Sequence, residues 1–89
     1  MNMQVTINIH ENVAFDILRL MHAEYVRLLA INYTTKDEDE QADAANDAVK
    51  VGLTFRALEE QLLAMLGQKR MDLAKDNFER EFPTPQKPL

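Results

Sequence analysis

A chain of 89 residues, 46% of them apolar, makes one domain that can bury roughly 60–65% of its extended surface, and it is too apolar to stay disordered throughout. With no Cys it has no disulfide framework, no thiolate nucleophile and no cysteine metal site, and with no Ser covalent catalysis would fall to Thr, Lys, Tyr or a carboxylate. The formal net charge of −5 gives weak long-range attraction for nucleic acid, so a protein with a basic surface is the better-suited partner. The acidity is uneven. Residues 36–60 carry eight acidic and three basic groups, whereas residues 61–89 carry four and five.

The N-terminus has no basic region followed by an apolar run, so no signal peptide is expected. The most apolar segment, Val13–Ile31, is interrupted by Asp16, Arg19, His22, Glu24 and Arg27, which argues against a membrane span. A cytoplasmic location is expected. Met3, Val5, Ile7 and Ile9 alternate with Gln4, Thr6 and Asn8, a period of two that predicts a β-strand over 3–9 with one apolar face. No second strand pattern follows. Its open edges would pair with a second copy or a foreign strand, or the segment would lie as an arm on the helices.

A first helix is predicted over 12–31, with Asn12 as N-cap. Ala14, Leu18, Met21, Tyr25 and Leu28 form one row, widened by Val13, Ile17, Leu20 and Leu29. After a short link, Thr35-Lys36-Asp37-Glu38 fits a capping box and opens a long helix over 37–66. The brevity of the link makes the two helices antiparallel neighbours, a hairpin, with Arg27 near Glu40.

Along the long helix, Ala44, Ala48, Val51, Phe55, Leu58, Leu62 and Met65 recur at alternating steps of four and three. That spacing keeps them in a single seam. A second stripe, Val49, Leu53 and Leu63, lies on another face, and a helix apolar on two sides needs two surfaces to lean on. Gly52 beside the seam predicts close backbone approach, and Gly67 ends the helix. A third helix is predicted over 68–81, with Met71, Ala74, Phe78 and Phe82 on one face. It is stopped at Pro83, and residues 83–89 form a Pro-rich extended tail.

The expected fold is therefore mainly α. Residues 1–82 form one helical domain, an antiparallel helical hairpin with a third shorter helix and an N-terminal β-strand or arm. Its apolar area exceeds what three helices can cover. A homodimer, a dimeric helical bundle, is expected, self-associating through Val5, Ile7 and Ile9 of the arm and Val49, Leu53 and Leu63 of the second stripe.

Few residues offer chemistry. Asp39, Asp43 and Asp47 stand four apart beside Asp37, Glu38 and Glu40. They are either a solvated helix start that suits the helix dipole or an edge that docks on a basic site. An EF-hand beginning at Asp37 would need Gly and Glu where Ala42 and Ala48 stand. His10 and His22 lack a second ligand at metal-binding spacing. Neither a cofactor, a metal nor a catalytic residue is expected, and the chain does not read as an enzyme.

Gln4, Thr6 and Asn8, outward on a strand ahead of a helix, resemble the ribbon-helix-helix DNA-binding family over Met3 to about Leu20. The resemblance implies paired strands whose polar residues read bases in the major groove. The chain departs from that pattern in its longer first helix, its displaced turn and the lack of basic residues around the strand. Pro85-Gln-Lys-Pro88 has the PxxP spacing of SH3 ligands. In build, though not in any motif, the chain resembles small acidic accessory proteins of phages and mobile elements. That likeness implies an inhibitor whose acidic helix edge (Asp37, Asp39, Glu40, Asp43, Asp47) covers a host factor; a structural assembly subunit is the other alternative.

Overall fold

The computed structural model describes residues 3–88; Met1, Asn2 and Leu89, the ends of the expected domain and tail, lie outside them. The fold is mainly α, with three helices, α1 (Glu11–Thr34), α2 (Glu38–Leu66) and α3 (Gln68–Glu81). No strand occurs among the described residues.

Single side chains set the helix ends. The Nδ1 of His10 accepts from the Asn12 N–H at 3.1 Å, so His10 is the cap and Asn12 lies inside the first turn. At the far end α1 runs on to Thr34, past the predicted stop, and the Thr34 hydroxyl donates back to the Ala30 carbonyl at 2.7 Å. The capping box also shifts. Asp37 caps α2, accepting from the N–H groups of Asp39 at 2.9 Å and Glu40 at 3.3 Å. Thr35 instead ends α1 and accepts from the Asp37 N–H at 3.2 Å. A carboxylate at the cap, with Glu38, Asp39 and Glu40 in the first turn, suits the positive end of the helix dipole.

Where α1 meets α2, the Asn32 amide donates to the Gln41 carbonyl at 2.9 Å, and the Gln41 amide donates to the Asn32 carbonyl at 3.2 Å. Further along, Tyr25 lies beside Gly52, and Leu18 meets a cluster that includes Leu58 and Leu62. The two helices thus touch in opposite chain order. Ala44 and Ala48 are buried, as the small start of the seam implies, while Phe55, Leu58 and Leu62 are half-buried and Met65 is exposed. Arg27 does not reach Glu40. It pairs with Glu24, one turn away on its own helix, where i,i+3 neighbours already lie within reach.

Gly67 joins α2 to α3 at φ +92°, a backbone setting that a side chain would strain. The turn sends α3 back so that Met71 and Phe78 close on Leu18, with Leu18 and Met71 at 0% exposure. Three ion pairs flank this core: Arg19 with Glu81, Arg70 with Glu11 at 3.1 Å, and Lys75 with Glu59 at 2.6 Å. Partly exposed pairs of this kind add little stability; they fix how α3 lies. Beyond α3, the Glu79 carboxylate accepts from the N–H and the hydroxyl of Thr84 at 2.6 and 2.7 Å, which ties down the start of the tail.

The strand expected over 3–9 is not seen in the single chain. Residues Met3–His10 carry no regular structure, and the apolar and polar sets alike are exposed. The cause is the missing partner: a strand gains its hydrogen bonds only from a second edge, and this chain supplies none. We predict that Leu18→Ala lowers unfolding free energy by about 2–5 kcal/mol, whereas Leu20→Ala, at an exposed position, changes it by about 0.5 kcal/mol or less. Urea denaturation followed by circular dichroism checks both.

Candidate interaction surface

Two shallow concavities adjoin along α2 and share Tyr25, Gly52 and Arg56. The first, of about 320 Å³, lies where the three helices meet. Its apolar walls are Tyr25, Phe55 and Phe78, and its rim is charged. The Glu59–Lys75 pair crosses it, and the His22 ring stacks on Phe78 with centroids 6.2 Å apart. The Nε2 of His22 is 2.7 Å from the Phe82 carbonyl oxygen. A carbonyl only accepts, so this nitrogen carries the proton and donates it there. Glu79 lies 3.7 Å from the same nitrogen.

The second concavity, of about 380 Å³, is a more open groove between α1 and α2. Leu29 and Tyr33 form one wall, Val49 and Leu53 the other, and Lys87 reaches its rim from the tail. Arg56 makes no ion pair among the described residues. Gly52 lines both hollows, but not because the backbones are pressed together. A methyl group added there would sit 3.6 Å from Tyr25 Cε1, an ordinary contact.

The acidic residues divide into two populations. Glu11, Glu24, Glu59 and Glu81 each face a Lys or Arg cation, and Glu79 lies beside the His22 ring. Hydrogen bonds from Arg70, Arg27 and Arg19, with the added charge of each, hold Glu11, Glu24 and Glu81 below the usual carboxylate range. Glu79 is lowered by its bonds from Thr84. Asp37, Asp39, Glu40, Asp43 and Asp47 are all exposed, and none is in an ion pair among the described residues. Asp37 is committed to its capping bonds, and Asp47 adds to the field that raises the Arg27 pKa.

The proposed self-association residues also separate. Val5, Ile7 and Ile9 are exposed on the arm, and Val49 and Leu53 are 61% and 60% exposed on α2. Leu63 instead packs against the Leu18–Met71–Phe78 cluster of its own chain. Gln4, Thr6 and Asn8 are exposed. No group of three or more metal-type ligands converges among the described residues, and no helix among them is long and apolar enough to cross a membrane. Sequence reasoning did not place Arg56 on both hollows; its only signal was a cation one turn beyond Gly52 and Leu53.

Gly52→Ala is expected to stabilise the fold by about 0.5–1 kcal/mol, since the methyl fits and glycine is a poor helix former. Thermal denaturation checks it. The lowered pKa of Glu81 means that its bond to Arg19 stabilises the fold above the unfolded carboxylate value of about 4.3 and is lost as pH falls through the lower folded value. Glu81→Gln should therefore reduce the melting temperature at neutral pH, and the gap to the parent should close in strong acid. Comparisons of the chain with protein families, with curated proteins and with solved structures found no match.

Proposed function

We propose that the chain is a non-enzymatic protein-binding module. In this reading a helical hairpin of α1 and α2 self-associates through its surplus apolar surface, and its acidic α2 edge docks on, and blocks, a partner with a basic surface. The observation that carries the reading is the balance of apolar side chains. Among the described residues ten large ones are exposed, including Val5, Ile7, Val49 and Leu53, against four that are buried: Leu18, Leu28, Met71 and Phe78. Exposed apolar surface of this kind marks contact with other proteins.

The chemistry of the partner follows from charge. Of the Lys and Arg residues of α1 and α3, Arg19, Arg27, Arg70 and Lys75 are held in ion pairs, so the carboxylates of residues 37–47 dominate the field at one end of α2. Against catalysis stands the state of the most reactive side chain in the cleft. The Nε2 proton of His22 is already committed to the Phe82 carbonyl, and among the described residues no hydroxyl shares a hydrogen bond with this ring.

The test uses two variants of equal net charge and a lysine-rich polypeptide as the basic probe. One variant reverses Asp39, Asp43 and Asp47 to Lys; the other reverses Asp16, Glu60 and Asp76. Titration calorimetry at moderate salt should show binding lost in the first and retained in the second. Equal loss in both would mean that the probe senses total charge alone, and the docking edge would be discarded.

A further inference from the structure

We propose that the Val49–Leu53 face of α2 is the contact with a second copy of this chain, packed antiparallel about a two-fold axis so that Val49 of one copy meets Leu53 of the other. The inference deepens the self-association reading above and rests on it. Val49 and Leu53 stand side by side at 61% and 60% exposure. On the same side Ala45 stands one turn before Val49 and Ala57 one turn after Leu53. The order small, large, large, small is unchanged on reversal, so an antiparallel copy sets bulk against bulk and lets the backbones approach on either side. A two-fold contact requires this kind of self-complementarity.

Charge selects the direction. Residues 38–49 hold five acidic groups and no basic one, whereas residues 50–66 hold two of each, Lys50 and Arg56 among them. Parallel pairing would lay the acidic halves together. Antiparallel pairing lays each against the half that carries Lys50 and Arg56, and it also opposes the two helix dipoles. The surface is a groove rather than a bare rod, because Leu29 and Tyr33 of α1 raise its far wall. The arm is the weaker candidate for the contact, since a lone two-stranded ribbon is at best marginally stable in water.

The proposed register places residue 42 of one copy opposite residue 60 of the other and keeps the two residues 42 about 27 Å apart at 1.5 Å per residue. The chain has no Cys, so Ala42→Cys and Glu60→Cys each supply the only thiol, both at exposed sites. Mixed and oxidised, the two variants should form the mixed disulfide, while each alone stays uncoupled. Disulfide dimers from either variant alone would show a parallel contact and overturn the proposal. If light scattering reports a dimer but no mixed disulfide forms, the face is wrong and self-association stands; a single-chain mass at every concentration defeats both. Leu53→Asp should abolish the dimer with helical circular dichroism unchanged, and Val5→Asp should leave it whole. The reverse result would move the contact to the arm and overturn the proposal.

Discussion

The fold depends on one three-way contact, the closure of Met71 and Phe78 of α3 onto Leu18 of α1. It is where all three helices meet, and Leu18 and Met71 are the fully enclosed large residues. Phe55, Leu58 and Leu62 of α2 complete it as half-buried neighbours. At the other end of α1 and α2 the packing is thin, with Ala44 and Ala48 against the Leu28 end of α1. Alanines let helix backbones approach but bury little area, so that end is held in register as much by the reciprocal Asn32–Gln41 amide bonds as by apolar contact.

This uneven core explains the remaining surface. Because α3 spans 14 residues and α2 spans 29, the third helix covers only part of the pair it leans on. It fills the end at Leu18 and leaves the end at Tyr25, Val49 and Leu53 as an open groove. The Gly67 turn and the Arg19–Glu81 and Arg70–Glu11 pairs then fix the angle of α3. His22 and Glu79 secure the chain just beyond it. The exposed stripe of α2 is thus a consequence of where the short helix lands, and the acidic start of the same helix sits beyond the reach of the basic residues that α3 brings in.

Much of this was legible in the spacing of apolar residues. The alternation of steps of four and three marks the face of α2 on which Ala44 and Ala48 are buried, and Met71 and Phe78 stood out as one face of the third helix. What stayed hidden depends on single atoms or on distant parts of the chain. The caps of α1 and α2 fall two residues from the expected ones, at His10 rather than Asn12 and at Asp37 rather than Thr35, because neighbouring polar side chains compete for the same few N–H groups. Arg19–Glu81 and Arg70–Glu11 join residues about sixty positions apart, which no local pattern records. Leu63 shared a stripe with Val49 and Leu53 on paper, yet it lies far enough along α2 to meet the core beneath α3. The alternating segment before α1 read as a strand because alternation reports what a strand would bury, not whether an edge exists to receive it.

The central claim is that one copy of this chain leaves apolar surface that a second copy covers. Folding linked to association gives a melting temperature that depends on concentration. Thermal unfolding recorded across about a hundredfold range of protein concentration is therefore the most direct test. A melting temperature that climbs steadily with concentration is the predicted result. One that stays constant across the range would show that each chain folds alone with its Val49–Leu53 groove open to water, and would contradict the claim.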